Sequence, residues 1–324
     1  MSLETILQLV ISSTLVYSAP LIFTALGGTF SERAGVVNVG LEGTMIMGAF
    51  AGVVFNLTFA GQFGGLTPWL GLLAGAVIGL IFSLLHAVAT VTLRADHIVS
   101  GTVMNLMAPA LGVYLIKLMY GKGQTSMIAE NFGYWNVPVL SKIPVIGTIF
   151  FTKTSSTAWV AIIIAFVASW VLFKTRFGLR LRSVGENPQA ADSVGINVNR
   201  MRYIGTAIGT AAAGAGGYII FSCLKLGEWS LNSGVFGYGF LVLAIEILGN
   251  WKAINVTISA WIFAAFFAFA NFMTVAFSSG NAFYNSKAFY MLLPYLLTLL
   301  SLIIFSKKSH APKSEGIPYD KSSR

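Results

Sequence analysis

The sequence predicts an all-α, polytopic membrane protein, and three observations carry that prediction. Only 10% of the 324 residues are charged, 56% are apolar, and the mean hydropathy is +0.78. A soluble protein carries about 25% charged residues, and a soluble chain of this length normally forms two hydrated domains. There is too little charge here to coat them. The 34 glycines and 9 prolines exclude collagen and low-complexity disorder. A single cysteine, Cys223, excludes an intramolecular disulfide framework and any multi-cysteine metal site.

Stretches of the length a bilayer requires, about 17–25 apolar residues, recur nine times. They fall near residues 7–29, 36–59, 68–92, 98–119, 157–173, 203–224, 236–248, 254–277 and 288–305. The seventh is short and lies among Gly234, Gly237, Gly239 and Gly249, which points to a broken or re-entrant segment and would leave eight full spans. Residues 1–305 are thus expected to form one membrane domain, and the polar residues 306–324, with two prolines, a mobile tail.

Basic residues set the expected orientation. With nine spans, fourteen of the twenty lysines and arginines fall on one side: Arg33, Arg94, Lys252, six in the loop 174–202 and five in the tail. The positive-inside rule then places the C-terminus in the cytoplasm and the N-terminus outside. Met1-Ser-Leu-Glu lacks the basic start of a signal peptide, so the first stretch reads as a retained span. Trp135, Trp159, Trp170, Trp229 and Trp251 fall near span ends, where interfacial anchors belong. The basic residues are dispersed between apolar runs rather than gathered on one face, which argues against nucleic-acid binding despite a net charge of +9.

The cytoplasmic loop 174–202 carries helix signals of its own. Asn187 suits an N-cap, Pro188 the first helical position, and Gly195 the left-handed residue beyond the last turn. Between them lie about two turns, in which Ala190, Ala191 and Val194 make a small apolar face beside Asp192. A short capped helix at the membrane surface suits a docking peg; the bland alternative is an interfacial connector.

These residues also carry a resemblance. The run Gly-Glu-Asn-Pro-Gln-Ala-Ala-Asp-Ser-Val-Gly from Gly185 to Gly195 resembles the cytoplasmic coupling loop of ABC importer permeases, with Gln189 where that loop has an acidic residue. The run Phe-Ser-Glu-Arg-Ala-Gly-Val-Val-Asn-Val-Gly-Leu-Glu-Gly from Phe30 to Gly43 is similar to the signature of the branched-chain amino acid and sugar permease group, its nucleoside-importer branch above all. Further agreement comes from Leu93–Thr102, Phe177–Arg182, Met291–Tyr295 and Gly316–Lys321, in the expected order along the chain. The resemblance implies a nucleoside-importing transport subunit, with riboflavin, sugars or branched-chain amino acids as alternative cargo. It further implies partner ATPase subunits, a second homologous permease and an extracytoplasmic substrate-binding lipoprotein. The chain has no Gly-x-x-x-x-Gly-Lys-Ser/Thr loop of its own; Gly121-Lys-Gly-Gln fails that spacing.

Polar residues at membrane depth are costly and tend to mark pathways. Asn38 and Glu42 lie four apart on the second span, so on one helical face; Asn105 is on the fourth and Glu246 on the seventh. All four are candidates for the translocation route, against inter-helix hydrogen bonding for Asn38 and Asn105 and a buried structural junction for Glu42. Asp96 and His97 imitate a catalytic pair, but a tight turn favours capping by Asp96. His86 and His310 stand apart in sequence, and no convergent metal ligands or cofactor motif is evident. Gly205, Gly209, Ala213 and Gly217, four apart, form a small-residue stripe for close helix packing. An ion-coupled secondary transporter is the rival of a different class; it needs titratable groups at the midplane, a role open only to Glu42 and Glu246. An intramembrane enzyme lacks a nucleophile–base pair.

Overall fold

The computed structural model describes residues 3–138, 140–143, 147, 150–152, 154–223, 228–230, 235–276 and 309–321, with scattered positions between 292 and 304. Its elements, in chain order, are α1 (Leu3–Arg33), α2 (Leu41–Phe63), α3 (Thr67–Ala87, continued by a π turn at Val88–Thr92) and α4 (His97–Tyr120). A two-residue ribbon, β1 (Tyr134–Trp135) and β2 (Thr154–Ser155), follows, with Tyr134 opposite Ser155. Then come α5 (Ser156–Lys174), α6 (Arg176–Glu186), α7 (Pro188–Ser193), α8 (Val198–Cys223), α9 (Tyr238–Gly249) and α10 (Ala253–Ala276).

Seven of these helices, α1–α5, α8 and α10, have 19 to 31 residues and match the expected spans in position. At 1.5 Å per residue even the shortest reaches about 28 Å, close to the thickness of a bilayer core. α9 has 12 residues, about 18 Å. As a helix it is too short to cross a bilayer core by itself. The ninth expected stretch, 288–305, lies largely outside the described residues.

α8 is the hub. It runs antiparallel to α1 and α3 and also crosses α2, and its small-residue face makes these contacts close. A Cβ on Gly209 would run into the carbonyl oxygen of Gly27, and one on Gly27 into that of Gly209. Gly214 meets Gly48 and Gly75 in the same way, so it joins the stripe expected at Gly205, Gly209, Ala213 and Gly217. Backbones at this distance gain dispersion and weak hydrogen bonding that larger residues forbid, which is the main attraction between helices in lipid.

The connections gather at two ends. At one, Asn56 Nδ2 donates to the carbonyl of Glu130 at 2.6 Å and to the Tyr218 hydroxyl at 2.9 Å, and Trp229 pairs with Thr125. At the other lie the α1–α2, α3–α4 and α9–α10 connections, the α6–α7 loop and residues 309–321. Arg33 ties several of these together: its guanidinium donates to the carbonyls of Trp251 (3.1 Å) and Asn250 (3.2 Å) and lies 3.7 Å from Glu186.

Two expectations change. Trp229 and Trp251 are buried packing residues rather than interfacial anchors, whereas Trp135 and Trp170 are exposed. Trp229 fills the space left by Gly112 and meets Phe50 edge-on at 5.9 Å; Trp251 donates its indole N–H to Glu32. The expected mobile tail does not describe residues 309–321, which are hydrogen-bonded across the charged end of the bundle.

Candidate functional site

The docking element is built as the loop's signals require, with one extra helix. Thr175 caps α6 by accepting from Gly178 N–H at 3.1 Å, and Phe177, Leu181 and Val184 turn inward from it. Arg182 stacks on Phe173 at 4.8 Å and donates to the carbonyl of Leu172, fixing α6 against the end of α5. Asn187 Oδ1 then accepts from Ala190 N–H at 3.0 Å, Pro188 occupies the first turn of α7, and Gly195 ends it at φ +82°. The left-handed backbone there is one that glycine adopts without steric cost.

The face of α7 is divided. Ala191 is 3% exposed and Pro188 is buried, both turned into the protein, while Ala190 and Val194 face out and Val194 is 74% exposed. The expected single face of Ala190, Ala191 and Val194 is therefore corrected: Ala191 anchors α7, and the outward surface belongs to Gln189, Ala190, Ser193 and Val194, with Asp192 at its edge. A groove of about 920 Å³ runs along α6 and α7, lined by Leu179, Arg180, Ala190, Val194, Arg200 and Met201 among others. Its apolar floor, cationic rim and small residues suit a protein partner more than a small solute.

The second region is the α1–α2 connection, residues 34–40, onto which the candidate polar residues converge. Val37 N–H donates to His97 Nδ1 at 3.1 Å, and its carbonyl accepts from His86 Nε2 at 3.0 Å. A carbonyl only accepts, so His86 carries its proton on Nε2, leaving Nδ1 to accept from Ser100, 3.0 Å away. His86, alone in the sequence, is thus one half of a two-histidine clamp. Asp96 caps α4 through Val99 N–H at 2.9 Å, as the turn suggested.

Asn105 reaches across from α4: Oδ1 accepts from Gly43 N–H at 2.8 Å and Nδ2 donates to the Val39 carbonyl at 2.9 Å. Glu42 accepts from Gly237 N–H (2.9 Å) and Gly239 N–H (2.7 Å), placing a carboxylate on the N-terminus of the half-helix α9. That is where the helix dipole and free N–H groups favour negative charge. Asn38 is fully buried, and neither side-chain atom has a hydrogen-bond partner among the described residues. Glu246, also fully buried, lies beside Glu32 and against Gly28 of α1, which has no room for a Cβ. Asn38, Glu42 and Asn105 therefore share one neighbourhood at the start of α2, while Glu246 sits at the α1–α9 contact. Asn105 bonds between α4 and α2, and Glu42 joins α2 to the start of α9.

A match to a family model described as the branched-chain amino acid transport system permease component extends over residues 10–302. The chain belongs to that permease family. It is 52% identical to the nucleoside ABC transporter permease protein NupC of Lactococcus lactis subsp. cremoris, an alignment covering 99% of this chain and 100% of the relative. It is 46% identical to the guanosine ABC transporter permease protein NupQ of Bacillus subtilis, over 100% of both chains. The nucleoside ABC transporter permease protein NupB of Lactococcus lactis is a more distant relative, 24% identical over 78% of this chain and 70% of its own. No solved structure matches the chain. This permease is thus an integral protein of the cell membrane and a transport subunit rather than an enzyme.

Sequence reasoning missed α6, the histidine clamp and the Glu32–Trp251 bond. The signal for α6 was present in Thr175 followed by Phe177, Leu181 and Val184 at helical spacing.

Proposed function

We propose that this permease imports nucleosides as one transmembrane subunit of an ATP-driven transporter. The observation that carries the substrate is the end-to-end likeness to permeases named for nucleosides and guanosine. Its expected partners are ATPase subunits, a second permease of the same family and an extracytoplasmic binding lipoprotein. In this reading the charged end faces the cytoplasm, and the outward surface of α7, with Asn187 and Gly195 defining its ends, seats in a groove on the ATPase. ATP-driven closure moves α6 and α7, and the bundle switches between outward- and inward-facing states, a two-state element biased from a distance.

Asn38, Glu42, Asn105 and Glu246 line or border the translocation route. Glu42 fixes where α9 begins, Asn105 joins α4 to α2, and Asn38 and Glu246 put buried polarity beside α1. In this reading the Glu42 contact at the start of α9 sets where the half-helix begins, while Arg33, Ser309 and His310 hold its far end. Ion coupling finds less support, since Glu42 already holds two backbone N–H groups.

The test is uptake into vesicles holding the permease pair, the ATPase and the binding protein. ATP-dependent accumulation of radiolabelled guanosine or uridine, blocked by vanadate and indifferent to a protonophore, is the expected result. Collapse by the protonophore with vanadate inert would establish the ion-coupled reading instead. Accumulation of riboflavin but no nucleoside would replace the substrate.

A further inference from the structure

Residues 309–321 bind, in order, to four elements at the charged end. Ser309 Oγ donates to the carbonyl of Ile247 at 3.1 Å, and His310 N–H donates to Asn250 Oδ1 at 2.9 Å, holding the end of α9. Ser314 follows with two bonds to the end of α6: its N–H donates to the carbonyl of Gly185 at 2.9 Å and its hydroxyl to that of Glu186 at 3.3 Å. Those carbonyls belong to the last turn of a helix, which has no intrahelical donor for them. The segment therefore caps α6 immediately before α7 begins. Gly316 N–H donates to the Gly35 carbonyl at 3.2 Å, tying in the α1–α2 connection. Finally Asp320 takes both terminal nitrogens of Arg94, at 2.8 and 3.1 Å, fastening the α3–α4 turn in the two-pronged geometry that fixes orientation as well as distance.

Four elements that are far apart in sequence are thereby joined by thirteen residues that add no membrane-crossing helix. Tyr319 packs on the core, and with Arg94 and Lys321 it walls a cleft of about 690 Å³ whose opposite wall is Asp192–Asn199, the exit from α7.

We propose that residues 309–321 are a mechanical link that makes the α6–α7 loop move as one body with α9, the α1–α2 connection and the α3–α4 turn, so that ATPase motion at α7 reaches the transport helices. The proposal rests on the transport reading above. Ser314 and Asp320 are its positioning residues. The outward face of α7, formed by Gln189, Ala190, Ser193 and Val194, is complete without them. Removing the link leaves ATPase binding in place and uncouples hydrolysis from movement of the cargo.

The experiment uses the reconstituted transporter and reads ATPase co-purification, ATP hydrolysis and nucleoside uptake for each variant. Ending the chain after Ser309 is expected to keep co-purification and at least half of the hydrolysis, while uptake per ATP falls about tenfold, within the range of a site-to-site coupling. Arg94→Asp and Asp320→Arg should each lower uptake per ATP by about threefold, the scale of an exposed ion pair, and the double exchange should restore it. Rescue separates a positioning role from a loss of folding, because the exchanged pair alters both residues and recovers function. Wild-type uptake per ATP in the truncated chain overturns the proposal. So does an equal fall in hydrolysis and uptake, or a double exchange no better than the single ones. If the unaltered transporter shows no ATP-dependent uptake, the transport reading itself fails and takes the link with it.

Discussion

Two carboxylates show how much depends on single side chains. Glu42 satisfies two N–H groups at the start of α9. Glu42→Ala leaves the buried Gly239 N–H and the part-buried Gly237 N–H without an acceptor, at a cost of about 1–3 kcal/mol for the buried group. The expected outcome is a lower melting midpoint in detergent and slower uptake, with Glu42→Gln intermediate because one acceptor oxygen survives. An unshifted midpoint in Glu42→Ala would mean that α9 is held by something else. Glu315 behaves oppositely. Burial and the nearby Glu32 push its carboxyl up to about 8, against a partial opposing pull from Arg33, and Glu246 also faces it. Docked, it holds its proton to about pH 8; released, it ionises near 4.3 as an ordinary glutamate does. The docked segment therefore binds more protons, so its hold is fullest below about pH 4.3, weakens as pH rises through the interval, and is flat above about 8. A spin label on Ile317→Cys in a Cys223→Ala background should become more mobile between pH 5.5 and 8.5, a window chosen to lie around those values. Glu315→Gln should flatten that profile; persistence of the same pH response would assign it to another group.

At the scale of elements, α7 separates anchoring from docking. Ala190→Arg places its charge on the outward surface, so the permease should melt normally while ATPase pull-down falls by at least about tenfold, the loss of ~1.4 kcal/mol of binding. Ala191→Arg forces a long side chain into a site that is 3% exposed. Overpacking of that kind costs about 1–3 kcal/mol before the charge is counted, and the expected outcome is reduced membrane level and a lower midpoint. Equal behaviour of the two variants would contradict the divided face. The caps of α7 were legible because Asn187, Pro188 and Gly195 act on their own backbone neighbours. Which alanine faces inward was not legible, since Pro188 and Ala191 differ from Ala190 only in what the rest of the fold brings against them.

For the whole molecule, the spans were readable because a bilayer imposes length and apolarity on each helix independently. The site was readable only in part. Val37 and His97 are 60 residues apart, Glu42 and Gly237 195, and Arg94 and Asp320 226. One sequence holds no record of such pairings. The basic residues also mean more than orientation: Arg33 and Arg94 carry structural bonds, and Arg202 is 1% exposed, its guanidinium against Gly35. Their shared location still supports a cytoplasmic charged end. In a Cys223→Ala background, Ser309→Cys is expected to react with an impermeant thiol reagent only from the cytoplasm and Asn131→Cys only from outside. Labelling of both from one side would remove the proposed orientation.

The folded-back chain end has a practical consequence for anyone handling this protein. Lys321 lines the cleft beside the exit of α7, and Arg324 lies three residues further along the chain. At about 3.3–3.6 Å per extended residue, whatever is fused after Arg324 begins within roughly 12 Å of that cleft. A fluorescent reporter or bulky purification handle attached there would crowd the ATPase while leaving expression and membrane targeting intact. Such a fusion would look healthy on a gel and under the microscope and still be a poor transporter. A handle placed before Leu3, at the opposite end of α1 from Arg33, avoids that conflict.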